Sequence, residues 1–386
     1  MSSGATETHQ GRARLVLHFD VNKTILMSDD ASGRTIDQTL NSLLTECTWG
    51  IADLSKPRSQ RRLEDWVVCH ATPATHPPQQ GALSLGEYLE DHTEISKATQ
   101  RSVKRAFTDA GCVGERFRPH LRELDAQMRL GDTEAAKARA QGLSYLAEGL
   151  WHIVPSFFRL VEHLAEQDVP FCLLLRTFGT DISNVCDEFN LFCSGLHPAY
   201  SPSRKLDGTD PRSKDLRIHL PQCSGRMLRT GDSAADIHMA HLQTDTLQIA
   251  SGAHKVYAVM MEWFREGEGG TLSAAVQDHF QWWADQGESD TSGKLLLVET
   301  QTPQPDVAAA TATTDVGSRN VHVFFDDNIE RNRAHIVDVR DERTFLPVPF
   351  AQARGRHLRR VDPYSAIMDR EYFIREVQDV MALHGL

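Results

Sequence analysis

The sequence predicts an α/β fold built on a buried parallel sheet, and three observations lead there. Short apolar-rich runs at residues 15–19, 171–175 and 321–325 read as strands covered on both faces. Each run gives way at its carboxyl end to polar residues: Asp20, then Arg176-Thr177, then Asp326-Asp327. The middle run lies between an amphipathic segment opening at Pro155-Ser156 and a helix start at Thr180 or Asp181, the helix–strand–helix alternation of α/β chains.

The elements follow in order. After the first strand come a polar loop at 28–33 and a helix over about 35–44. Residues 54–83, rich in Pro, Gln, Arg and His, read as an irregular loop with one apolar patch at Trp66-Val67-Val68. Ser84-Leu85-Gly86-Glu87 carries a capping-box pattern and opens a helix with Leu85, Tyr88, Leu89 and Ile95 on its face. A second, Ala-rich helical stretch covers 132–151, with Leu143, Leu146 and Leu150 on one side. Phe157, Leu160, Val161 and Leu164 keep i, i+3, i+4, i+7 spacing up to the turn at Asp168-Val169-Pro170. Residues 200–222 are loop-like, and 224–270 carry no clear period, with 255–264 open to strand or helix. Residues 272–286 read as a helix carrying Phe280, Trp282 and Trp283, the two tryptophans as packing groups. Lys294 precedes an apolar run at 295–298, residues 303–318 read as a flexible surface loop, and a last helix spans about 363–383.

Composition excludes more than it assigns. At 386 residues the chain can hold two domains, or one core with large insertions. A formal net charge of -12 argues against broad binding to nucleic acid or anionic membrane. No apolar run approaches the ~20 residues of a membrane span, and residues 1–14 lack the apolar core of a signal peptide. The seven cysteines are scattered without a Cys-x-x-Cys pair, which points away from a zinc site and towards a reducing, cytoplasmic setting. The 18 histidines show no metalloprotease pattern and are expected mostly at the surface. Glycine-rich phosphate and dinucleotide loops are absent.

A carboxylate at the carboxyl end of a parallel strand sits where open α/β sheets bind ligands. The spacing Asp20, Asn22, Thr24 resembles the first motif of the haloacid dehalogenase (HAD) superfamily, usually Asp-x-Asp-x-Thr. Thr177 and the pair Asp326-Asp327 then resemble its second and fourth motifs, in the expected order. The resemblance covers the regions near 12–30, 153–195 and 290–345. It implies a three-layer Rossmann-like core over 12–30 plus 151–386, with a poorly defined insertion near 200–285, and a mainly helical cap over 31–150. It also implies Mg²⁺-dependent phosphoryl transfer or phosphoester hydrolysis through an aspartyl-phosphate on Asp20. Thr177 and Thr24 would contact phosphate, and Lys294 would offset negative charge as the motif-three lysine. Asp20, Asp326, Asp327 and the backbone carbonyl of Asn22 would hold Mg²⁺.

Alternatives remain at several positions. Gly231-Asp232-Ser233-Ala234-Ala235-Asp236 matches the family's other motif-four form, although its preceding segment carries Arg226 and Arg229 and makes a poor buried strand. Lys205, Lys214 and Lys255 share the window of Lys294, and Arg176 is open to a structural ion pair or an anion contact. Asn22 stands where most HAD phosphatases carry the general acid, help typically worth ~10²–10⁴-fold. P-type ATPases lack that aspartate too, so its loss is compatible with chemistry. The expected partner is a phosphorylated small molecule or protein, with neither nucleic acid nor membrane involved. The alternative is a non-catalytic HAD-like protein that binds a phosphorylated ligand or a protein, and a third reading is a metal-free member attacking carbon.

Overall fold

In a computed structural model of the chain, residues 13–27, 35–242, 244–264, 271–300 and 319–386 are described. The loops expected at 28–33 and 303–318 lie outside the described residues. Along the chain, β1 (Arg14–Asp20) is followed by α1 (Ile36–Cys47), β2 (Trp49–Ala52), β3 (Trp66–Val68), β4 (Leu83–Ser84), α2 (Leu85–Asp91), α3 (Lys97–Arg105), α4 (Arg118–Met128) and α5 (Asp132–Ala140). Next come α6 (Pro155–Glu166), β5 (Phe171–Thr177), α7 (Ile182–Cys193), β6 (Ser224–Arg229), β7 (Ile237–His241), β8 (Thr244–Ser251), α8 (Ala253–Trp263), β9 (Ser273–Gln277) and α9 (Phe280–Asp285). The last third supplies β10 (Lys294–Val298), β11 (Asn320–Asp326), β12 (Val337–Asp341), α10 (Phe350–Ala353), β13 (Leu358–Arg360), α11 (Pro363–Met368) and α12 (Tyr372–His384).

The chain divides into two compact units. One comprises Met1–Val21, Phe158–Val361 and Phe373–Leu386, the other Asn22–Phe157 and Asp362–Tyr372. The divide therefore falls earlier than residue 30 and later than residue 150, and the α11 segment, assigned to the core by sequence, belongs with the second unit.

In the first unit an eight-stranded sheet runs β13-β11-β1-β5-β9-β6-β7-β8. The pairs from β13 to β6 are parallel, and the two beyond them antiparallel. This is a mixed α/β architecture with a mostly parallel central sheet, consistent with a Rossmann-like fold. β5 is buried throughout, and β1 and β11 are buried after their first residue, which is why all three read as near-continuous apolar runs. Phe19 stacks on Phe325 at 4.5 Å, where β1 and β11 are in register, and meets the edge of Phe373 at 5.3 Å.

Three sequence expectations change in the second half of the chain. Residues 272–286 form the sheet strand β9 and only then a short helix. Ser273, Ala274 and Ala275 lie buried between β5 and β6, where ladder bonds override the fraction of a kcal/mol by which alanine favours helix. β6 is a genuine strand despite its arginines, because both find partners: Arg226 bonds Gln277 and Arg229 bonds Asp338, each at 2.9 Å. The C-terminal helix is two, α11 and α12, separated at Asp369–Glu371, where Asp369 Oδ1 accepts the N–H of Glu371. Of residues 255–264, all but the C-cap Phe264 resolve as part of α8.

The second unit carries α1 to α5, α11 and a three-stranded antiparallel sheet ordered β3-β2-β4. Thr35 and Gln38 close a reciprocal capping box at the start of α1. Ser84 caps α2 by accepting the Glu87 N–H at 3.1 Å. That helix stops at Asp91, short of Ile95, because the Thr93 hydroxyl takes the Leu89 carbonyl and Ser96 caps a new helix, α3. The apolar patch Trp66-Val67-Val68 is β3, and the helix expected over 132–151 ends at Ala140. Gly142, at a φ of 75°, turns the chain there. Among the described residues no helix is long and apolar enough to cross a membrane.

Candidate functional site

β1 lies between β5 and β11, so Asp20, Thr177 and Asp326 all end strands on one edge of the sheet. Edges of this kind, where chain order leaves the central strand in both directions, are where open α/β sheets bind ligands. Asp20 and Asp326 are buried, and Asp327 is partly so. One carboxylate oxygen from each of the three lies within 4.8 Å of the other two.

Lys294, at the amino end of β10, is 1% exposed and donates to Asp20 Oδ1 and, at 2.8 Å, to Asp326 Oδ2. Its ammonium also lies 5.0 Å from the ring centre of Phe178 and 5.6 Å from that of Phe324. Asp326 Oδ1 accepts the Asn328 N–H and Asp327 Oδ1 the Asn328 side-chain amide, both at 2.9 Å. Asp20 Oδ2 accepts no hydrogen bond among the described residues. Gly293 makes the approach possible: the Lys294 N–H bonds Ile336 O at 2.8 Å, and a Cβ at 293 would overlap that carbonyl.

Asp20 and Asp326 thus share one ammonium, with the Asp327 carboxylate beside them. Burial and then the Asp326 carboxylate push the Asp20 carboxyl well above its ordinary range, further than Lys294 draws it down. Burial opposes the Lys294 ammonium as well, but Asp20 and Asp326 outweigh it and hold the lysine above its usual range. The neighbouring carboxylates add to burial at Asp20 and overcome it at Lys294.

Thr177 is buried and accepts the Gly179 N–H at 2.8 Å, one residue beyond Arg176, the register partner of Asp20. Arg176 itself is internal. It grips Asp278 through two bonds, at 2.8 and 2.5 Å, which decides for the structural ion pair. Asn22 and Thr24 belong to the second unit, in a tight turn where Lys23 has φ 64° and its N–H bonds Leu26 O. Asp232 is exposed, and Asp236 caps Ser233. They follow β6, three strands from β1 and roughly 14 Å away at about 4.8 Å per strand, so they stay out of the carboxylate group. Lys205, Lys214 and Lys255 lie exposed. Trp283 packs in an apolar cluster and stacks on Phe178 at 5.4 Å, as a packing group should.

Sequence reasoning missed Asp278, because β9 was read as helix, and it missed a buried histidine pair. His18 and His322 sit inside adjacent strands rather than at the surface. Arg176 can only donate, so His18 Nδ1 accepts from it at 3.3 Å. The His18 proton is then on Nε2 and is donated to His322 Nδ1 at 3.0 Å. A histidine two residues before Asp20, within an apolar run, was the available signal.

Burial, first of all, lowers the pKa of His18, takes His322 to about 3 and takes His357 to about 4. All three are neutral in the fold and charge near pH 6.5 once unfolded. Their contribution is complete above about pH 6.5 and is lost as pH falls towards 3, at about 1.4 kcal/mol per pH unit for each. Asp20, shifted upward, works the other way, but as one group against three. Urea midpoints should therefore fall steeply between pH 6.5 and 5, and His322→Gln should flatten the slope. A flat profile in the parent protein would refute the buried neutral pair.

No family model, no curated protein and no solved structure matches the chain.

Proposed function

We propose that this chain is a HAD-like enzyme of phosphoryl transfer or phosphoester hydrolysis, with a three-layer core, a helical cap in the second unit, and Asp20 as nucleophile. The observation that carries the reading is the group of buried Asp20, Lys294 and Asp326 with partly buried Asp327 at the carboxyl edge of a parallel sheet. Its three clustered carboxylates fit a hard divalent cation such as Mg²⁺. Asp20, Asp326 and Asp327 would hold that ion, whose contribution is to offset the charge of a bound phosphoryl group.

In this reading the Asp20 carboxylate forms a bond to phosphorus as the bond to the leaving oxygen breaks. Lys294, held between Asp20 and Asp326, stabilises charge gathering on the phosphoryl oxygens, and the Thr177 hydroxyl donates to one of them. The Asn22 amide cannot exchange a proton at neutral pH, so the leaving group takes its proton from water. Water then cleaves the aspartyl-phosphate and restores the carboxylate. Substrates with acidic leaving groups are favoured: an acyl or aryl phosphate over a simple sugar phosphate. The setting consistent with seven free thiols is a reducing one, with a small phosphorylated molecule or a phosphoprotein as substrate.

Hydrolysis of an aryl phosphate with and without Mg²⁺, beside Asp20→Asn, tests the reading. Turnover that needs the metal and drops at least ~10³-fold in the variant supports it. Equal rates in both proteins remove Asp20 as nucleophile and leave a non-catalytic protein that binds a phosphorylated ligand. Turnover independent of metal favours chemistry at carbon.

A further inference from the structure

Lys294 lies on β10, which pairs with β12 in a separate two-stranded sheet. Its carboxylate partners lie on β1 and β11 of the main sheet. Ladder bonds to the main sheet therefore do not set its ammonium against them. The carbonyls on either side of the lysine supply the missing attachment. Gly293 O accepts from Arg229 Nη1 at 3.1 Å, and Leu295 O accepts from both terminal nitrogens of Arg176 at 3.3 Å. Arg229 belongs to β6 and Arg176 to β5, so both donors come from the main sheet.

Each guanidinium is braced by its own buried carboxylate. Asp278 holds Arg176, and Asp338 holds Arg229 at 2.9 Å. Arg340 takes the other oxygen of Asp338 at 2.7 Å and, like Arg229, donates to Thr291 O at 3.1 Å. Tyr257 adds to the attachment by donating to Leu295 O at 3.0 Å and accepting the Leu297 N–H at 2.8 Å. A buried ion pair is a poor route to stability, since a well-packed apolar pair of similar volume does as well or better. Two such pairs flanking one lysine call for another reason.

We propose that Arg176 and Arg229, each with its carboxylate, are positioning residues for Lys294. They dock β10 on the main sheet by the two carbonyls that flank this lysine, and so set its ammonium between Asp20 and Asp326. The consequence for turnover rests on the phosphoryl-transfer reading, whereas the placement of Lys294 stands apart from it.

Arg229→Met is the variant to test, because Asp338 keeps Arg340 and no charge is left alone. The full-length protein is treated with acetic anhydride, and acetylation at each lysine is followed by mass spectrometry. Lys294 should react at least tenfold faster in Arg229→Met, with Lys205 and Lys255 unchanged, and Arg229→Lys should restore most of the protection. Aryl-phosphate kcat should fall by about 10²-fold with KM nearly constant, as for a misplaced charge. Unchanged Lys294 reactivity in Arg229→Met overturns the proposal, whatever happens to turnover. Faster acetylation of Lys294 in a protein whose parent shows no turnover supports the placement and counts against phosphoryl transfer. If Arg229→Met fails to fold, Arg229→Gln carries the comparison: a rise at Lys294 alone supports the docking, and none overturns it.

Discussion

Replacing Lys294 by Met is expected to cost about 3–5 kcal/mol of stability at neutral pH in metal-free buffer, the usual cost of stripping a buried charge of its partner. Methionine keeps much of the apolar stem of this buried lysine, so the loss reports charge more than packing. Asp20 and Asp326 are then left buried side by side with no ammonium between them. Their carboxyls can relax in one of two ways. The first is protonation at Asp20, whose folded-state pKa burial already raises above the unfolded one, so the deficit shrinks as pH falls towards about 4 and is full above the raised value. The second is a divalent cation. An ion at 100 times its dissociation constant adds about 2.7 kcal/mol. Urea titrations at pH 5 and 8, with EDTA or Mg²⁺, separate the two. If Mg²⁺ stabilises neither the parent nor Lys294→Met, the carboxylates are not a cation site.

Arg176→Met is expected to be equally severe, again about 3–5 kcal/mol. The lost guanidinium is fully buried, and Asp278, 5% exposed, would lose the cation bonded to it. His18 Nδ1 would also lose its donor. Arg176→Met/Asp278→Leu should regain most of this stability, because removing both charges removes the desolvation penalty with the pair. The double-mutant cycle should return a coupling of at least ~2 kcal/mol. Coupling near zero would mean that the pair contributes nothing specific. The stable double variant should still present Lys294 poorly, since Leu295 O loses its donor there too.

Parts of this were legible in the chain. The strands β1, β5 and β11 announce themselves because a strand buried on both faces must be apolar along its length, and that signal is local. The same locality explains why Asp20, Thr177 and Asp326 stood out: each interrupts such a run at its end. The strand β9 was hidden because Ser and Ala carry no period, and their helix preference outweighs nothing once neighbouring strands close over them. Arg226 and Arg229 argued against β6 only while their partners were unknown.

Composition and spacing pointed to the α/β class and to strand ends that carry carboxylates, and left four lysines and two acidic segments open. The tertiary structure decided which of these meet. Lys294 bonds a carboxylate 274 residues away, and Arg176 one that is 102 residues away. It chose Asp326 over Asp232, since β11 borders β1 while β6 lies three strands off. Burial is written into each segment by its own residues. Strand order is the sum of many weak pairings across the whole sheet, which no local window of sequence contains.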